Sequence, residues 1–156
     1  MMDLSLVTYN CRTLLSGFSN HAFEQKSYLQ SLNGNCWRNV AALYLQEIRC
    51  EDGLTVLFEP ELKLAISSVS SANKNASLAT WISENYDIIE SGVLTQGRLI
   101  YTHIVHKSTG QKFLLLNVYS YANRKEGCLT QLLILAAKCV GFFSEKKCRI
   151  EGGSGG

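Results

Sequence analysis

The spacing of apolar side chains predicts strands over most of the chain. Residues 77–82 are short and apolar and do not distinguish a strand from a helix. Polar turn formers separate several runs, notably residues 70–77, Gly97-Arg98 and residues 108–111. The runs that are typical of strands are 4–9, 42–49, 64–69, 87–90, 99–105 and 113–119.

Two segments have a helical pattern. Residues 23–32 could form a helix that ends near Asn33-Gly34. Residues 126–143 predict a long helix that is apolar nearly all round, and we expect it to be covered on more than one side. Its apolar run of 15 residues contains a glutamine and a lysine, and is too short to span a bilayer. The sequence therefore predicts no membrane span, and residues 148–150 could begin a last strand.

Composition is that of one soluble globular domain. The chain has 156 residues, of which 46% are hydrophobic and 18% charged. Its net charge of +2 is too small to indicate the basic surface of a typical nucleic-acid-binding domain. We predict one domain over residues 1–150. Residues 151–156 form a Gly/Ser tail that is a linker, a truncation point or an eroded motif.

The cysteines favour a reduced intracellular protein. Six are present, at positions 11, 36, 50, 128, 139 and 148, and no two have C-x-x-C spacing. No histidine lies at zinc-finger distance, which excludes a structural zinc site. Because no signal peptide is seen at the N-terminus, we expect an intracellular protein of the nucleus or cytoplasm whose cysteines are buried, reduced thiols.

Polar side chains stand at the ends of three predicted strands: Asn10, Glu47, and Asn117 with Tyr119. Each could simply mark where a strand meets water. If the three strands lie side by side, however, their ends converge on one rim. An amide, a carboxylate and a phenol there could hold a hydrated divalent cation and a phosphate. Mg²⁺ suits such a site because it often takes one or two carboxylates and keeps several waters.

Four short motifs resemble, in order, those of the endonuclease/exonuclease/phosphatase superfamily. The similarity is greatest to apurinic/apyrimidinic-type endonucleases of LINE-type retrotransposons. Each motif is weak alone, but the four together cover nearly the whole chain. They are Tyr9-Asn10-Cys11-Arg12, Leu45-Gln46-Glu47, Gly97-Arg98 and Leu116-Asn117-Val118-Tyr119.

The resemblance implies an α+β fold, part of a four-layer sandwich in which two mostly antiparallel sheets are flanked by helices. It also implies a Mg²⁺-dependent phosphodiester hydrolase. Glu47 would be the metal ligand, Asn10 would support the metal site and bind substrate, and Tyr119 would contact the scissile phosphate. Arg98 and Asn117 would anchor strands and loops.

The chain also departs from the family pattern. Residues 149–153 approach the next motif, Gly-Asp-x-Asn, but Ser154 and Gly156 stand where its aspartate and asparagine should be. The Ser-Asp-His motif that supplies the catalytic histidine has no counterpart. His103 and His106 match no motif position and read as strand or surface histidines. The general base is therefore missing, and we expect the C-terminal portion of the fold to be missing too.

Three functional interpretations follow. The chain is the N-terminal part of a DNA endonuclease-like enzyme, inactive alone and with weak or absent Mg²⁺ binding. Alternatively it is a non-catalytic module that binds nucleic acid or protein, or it is a retroelement remnant. DNA is the expected partner if a C-terminal half completes the chain. An exposed sheet face would otherwise favour self-association or a complementing segment.

Overall fold

Seven strands form two sheets in the computed structural model, which describes residues 4–11, 40–49, 54, 58, 60–121 and 130–142. Each of the six runs predicted as strands overlaps one, although β5 extends well beyond the predicted 87–90, and the ambiguous residues 77–82 also lie in a strand. The strands are β1 Leu6–Asn10, β2 Ala42–Gln46, β3 Leu62–Val69, β4 Ser77–Ser83, β5 Tyr86–Thr95, β6 Leu99–His106 and β7 Lys112–Val118.

The first sheet has the order β1-β2-β4-β3. β1 runs parallel to β2, with Asn10 opposite Gln46, so both strands end at the same edge. β4 runs antiparallel to both of its neighbours and is buried at every position. This central place explains why the sequence of β4 lacks the polar–apolar alternation of a half-exposed strand.

The second sheet is an antiparallel meander in the order β5-β6-β7. Residues 107–109 turn the chain from β6 into β7, at the position that residues 108–111 predicted. The pairing of Leu99 with Val118 brings the residues just beyond the two strands together. The backbone N–H of Tyr119 accordingly donates to the carbonyl of Arg98 at 2.8 Å.

Two apolar clusters hold these strands. In one, Trp81 of β4 meets Phe58 edge to face at 5.1 Å between ring centroids, and its indole N–H donates to the Leu54 carbonyl. The other contains Ala42 and Ile82 from the first sheet, and Ile104 and Leu115 from the second. The two sheets therefore pack face to face, which with the helix confirms the predicted α+β class.

The chain divides into two compact units, Met1–Tyr119 and Ser120–Gly156. In the second unit, residues 130–142 are helical, which confirms that part of the predicted helix. On this helix, Leu132, Leu133 and Val140 are 62–65% exposed. None of the helices in the described ranges has the length and apolar character to cross a bilayer. The predicted helix at 23–32, the strand at 148–150 and the tail at 151–156 lie outside the described residues.

Candidate functional site

The site begins where β2 ends. Glu47 follows Gln46 directly, and its backbone has φ of 55°, in the left-handed region. Arg49 has φ of 63°, and between the two Ile48 is fully buried. Left-handed backbone costs about 1–3 kcal/mol at a non-glycine residue, so the surrounding structure has to hold it. Ser77 does so: its carbonyl accepts the Glu47 N–H and its Oγ accepts the Arg49 N–H, both at 2.8 Å.

The carboxylate of Glu47 uses its two oxygens differently. Oε1 accepts a hydrogen bond from Asn10 Nδ2 at 3.0 Å and another from the Tyr119 phenol at 2.9 Å. None of the described residues donates to Oε2. Asn10 comes from the neighbouring parallel strand β1, whereas Tyr119 follows β7 of the other sheet. The two donors fix the carboxylate through Oε1 and leave Oε2 without a donor from the described residues.

Arg98 supports Tyr119 from the adjacent turn. Its guanidinium carbon lies 4.9 Å from the centre of the Tyr119 ring, in cation–π geometry, and Nη1 donates to the Tyr119 carbonyl at 3.5 Å. Burial and the Glu47 carboxylate raise the pKa of Tyr119 above its ordinary value of 10.0, against the opposing charges of Arg98 and Arg49. The phenol therefore stays protonated and able to donate at neutral pH.

Asn117 joins the two sheets beneath the site. Its side chain is 1% exposed. Nδ2 donates to the Ala79 carbonyl at 3.0 Å and to Thr80 Oγ1 at 3.2 Å, and Oδ1 accepts from Gln46 Nε2 at 3.1 Å. Gln46 also reaches Thr8 on β1 at 3.0 Å. Asn117 is thus an anchor, as expected, with donors and acceptor already engaged within the protein.

The condition that all three strands lie side by side is met only by β1 and β2. β1 and β2 are neighbours, but β7 belongs to the other sheet because the short turn at residues 107–109 pairs it with β6. The polar ends still converge, because the sheets pack face to face and Asn117 bridges them. Glu47 is therefore hydrogen-bonded to both Asn10 and Tyr119.

Sequence reasoning gave no role to Ser77, Gln46 or Arg49. Gln46 could have been found, because it lies inside the Leu-Gln-Glu motif. The contacts of Ser77 could not have been predicted, because a serine between a polar loop and an apolar run is typical of the end of a loop. His106 caps the β6–β7 turn by accepting the Thr109 N–H at 3.2 Å, as befits a strand or surface histidine.

The donor set decides which cation could fit. Among the described residues, no three His, Cys, Asp or Glu side chains cluster as metal ligands. Burial, and secondarily Glu47, raises the pKa of the Cys11 thiol to about 12, so Cys11 is a neutral thiol at neutral pH. Glu47 is then a single carboxylate with one open oxygen. That suits Mg²⁺, which keeps waters and phosphate oxygens as its other ligands.

Known structures share this fold. An endonuclease/exonuclease/phosphatase family protein from Bacteroides thetaiotaomicron superposes with a TM-score of 0.67 at 17% identity, over 89% of this chain and 59% of its own. A functionally unknown conserved protein from Enterococcus faecalis superposes with a TM-score of 0.60 at 14% identity, over 85% of this chain and 59% of its own. This chain thus spans about three fifths of each. No protein-family model and no curated protein matches the sequence.

Proposed function

We propose that this chain is the N-terminal part of a Mg²⁺-dependent phosphodiester hydrolase of the DNA endonuclease type. The observation that carries the proposal is the carboxylate of Glu47, held through Oε1 by Asn10 and Tyr119 with Oε2 left open. A site built only to stabilise a strand end would have no need to orient one carboxylate from two different sheets.

Each side chain has a distinct task in this proposal. Glu47 binds Mg²⁺ through Oε2, and Asn10 keeps the carboxylate in the orientation that presents this oxygen. Tyr119 stays protonated, and its single O–H, which donates to Glu47 Oε1 in this structure, would turn to a phosphate oxygen when substrate binds. When bound, Mg²⁺ stabilises the negative charge that develops on phosphate oxygens during hydrolysis.

The isolated chain should not hydrolyse DNA at a useful rate. Its sequence has neither the Gly-Asp-x-Asn aspartate nor the Ser-Asp-His histidine. Removing one positioned acid or base typically costs about 10²–10⁴ in rate. We propose that a C-terminal half supplies both groups. The choice of DNA over a small phosphoester, and the kinship with LINE-type retrotransposon endonucleases, both derive from the motif resemblance.

A non-catalytic binding module is the second candidate, and a retroelement remnant the third. Exposed apolar side chains on two strands favour an interaction. Leu6 is 44% exposed on β1, which pairs only with β2 within the described part of the chain, and Ile89 and Val93 of β5 are 48% and 47% exposed. Self-association or a complementing segment would cover them. A binding module would engage its partner without Mg²⁺.

Cation binding tests the proposal directly. Mn²⁺, used as a paramagnetic substitute for Mg²⁺, should bind the wild-type chain and lose at least tenfold in affinity in Glu47→Gln. Glu84→Gln is the matched control, because Glu84 is exposed in the β4–β5 turn. Equal affinities for all three proteins would overturn the proposal.

Nicking of supercoiled plasmid tests whether this chain is inactive alone and becomes active with a C-terminal segment. We expect none from this chain in Mg²⁺, and nicking after fusion to a segment carrying both missing motifs. Nicking by the chain alone, if abolished by EDTA and by Glu47→Ala, would mean that the chain contains its own base. Nicking that survives Glu47→Ala would come from a contaminant.

A further inference from the structure

Ser77 is a fully buried residue that contacts the turn carrying Glu47. It begins β4 and pairs with Val69 of β3 on one side. On the other side, its carbonyl accepts the N–H of Glu47 and its hydroxyl accepts the N–H of Arg49, each at 2.8 Å. One serine therefore satisfies the backbone donors of both residues that have left-handed backbone.

The turn needs such a partner because strand pairing no longer holds it. The ladder between β2 and β4 ends at the pair Gln46 and Leu78. Glu47 and Arg49 then adopt φ values of 55° and 63°, which side-chain-bearing residues rarely adopt. A turn released from Ser77 could return to extended backbone, and in a strand each successive residue points to the opposite face. The Glu47 carboxylate would then lose its place beside Asn10 and Tyr119.

We propose that Ser77 is a positioning residue for the Glu47 carboxylate. Its hydroxyl holds the Glu47–Arg49 turn in the left-handed conformation that presents Oε2 to a cation. The cation-binding part rests on the proposed function. The positioning part does not, because the contact between Asn10 and Glu47 can be observed without any metal.

A buried serine could instead serve only the stability of its strand. Ser83 provides the matched comparison, because it is a second buried serine of β4, and its Oγ accepts the Asn85 N–H at 3.3 Å at the opposite end of the strand. Ser83→Ala should therefore reproduce any general cost of removing a buried hydroxyl from β4 without disturbing Glu47.

The experiment compares Ser77→Ala, Ser83→Ala and Glu47→Ala in the full chain with two readouts. The first is the NMR position of the Asn10 side-chain NH₂ signals without metal. Ser77→Ala should move them toward their position in Glu47→Ala, whereas Ser83→Ala should leave them in place. The second is Mn²⁺ affinity, which should fall about ten- to a hundredfold in Ser77→Ala, as for residues that orient metal ligands.

Unmoved Asn10 signals in Ser77→Ala, or equal shifts in both serine variants, would overturn the positioning role. If the wild-type chain binds no Mn²⁺, the proposed function fails, and the Asn10 signals alone decide the role of Ser77. Should Ser77→Ala not fold, Ser77→Cys replaces it, because a thiol keeps the volume but is a weak acceptor. Wild-type Asn10 signals in that variant would overturn the proposal equally.

Discussion

The phenol oxygen of Tyr119 lies 2.9 Å from Oε1 of Glu47, although the two residues are 72 positions apart and follow strands of different sheets. Asn10 contacts the same oxygen from a third strand. The orientation of one carboxylate thus depends on the relative position of both sheets. Any change that moves one sheet against the other should be detectable at this oxygen.

Removing the Tyr119 hydroxyl should weaken cation binding while leaving the fold intact. Tyr119→Phe keeps the ring beneath Arg98 but deletes one of the two donors that fix Glu47. We expect Mn²⁺ affinity to fall about tenfold and the free energy of unfolding to fall by about 1 kcal/mol. Tyr86→Phe is the control, since the Tyr86 hydroxyl makes no hydrogen bond with the described residues. Unchanged Mn²⁺ affinity in Tyr119→Phe would contradict the prediction.

The Asn117 side chain should contribute to the stability of the fold and not directly to the reaction. Asn117→Ala leaves the Ala79 carbonyl and the buried Thr80 hydroxyl without this donor, and the Gln46 amide without one of its two acceptors. We expect the free energy of unfolding to fall by about 2–4 kcal/mol, measured by urea denaturation. Asn85→Ala, at an exposed turn position, should change it by less than about 0.5 kcal/mol. Similar losses in both variants would argue against an anchor.

Strand positions were largely predictable from apolar patterning, because β1, β2 and β7 are short runs bounded by polar residues. β4 was ambiguous for a physical reason. It is buried at every position between two neighbours, so the polar–apolar alternation that marks a strand is absent.

The sequence predicted which residues belong to the candidate site, but not how they are arranged. Asn10, Glu47 and Tyr119 could be named from their places at strand ends and from the motif resemblance. Their convergence could not be derived correctly, because patterning does not say which sheet a strand joins. The contacts of Ser77 could not be predicted from the sequence, since they involve two left-handed residues 28 and 30 positions earlier, and no local pattern encodes that relation.

Gly97 should tolerate no side chain. Its φ is +67°, and an added Cβ would overlap the carbonyl oxygen of Ala76 and lie 2.9 Å from the Ser70 nitrogen. Gly110, with φ of +71° and open space around it, separates the two effects. Gly110→Ala should cost about 1–2 kcal/mol for the left-handed backbone alone. Gly97→Ala should lower the free energy of unfolding by more than about 3 kcal/mol, and comparable losses in the two variants would contradict this account.

Stability should decline at alkaline pH. The hydrogen bond to Glu90 raises the pKa of Tyr101 from 10.0 to about 12, and burial and the Glu90 charge add to this effect. Burial, and to a smaller extent the Glu47 charge, raises the pKa of Cys11 from 9.0 to about 12. Because folding raises these pKa values, the unfolded chain releases its protons first as pH rises. The stabilisation from Cys11 is complete below about pH 9 and that from Tyr101 below about pH 10, and both are lost progressively towards pH 12.

Tyr101→Phe tests this dependence, because it removes one titrating group and keeps the ring that packs over Gly92. At pH 7 the variant should be about 1 kcal/mol less stable, through loss of the 2.7 Å hydrogen bond to Glu90. Between pH 10 and 12 its stability should fall less steeply than that of the wild type, so the two curves should approach each other. Urea denaturation at each pH measures both curves. Parallel curves over this range would mean that Tyr101 ionises equally easily in the folded and unfolded states.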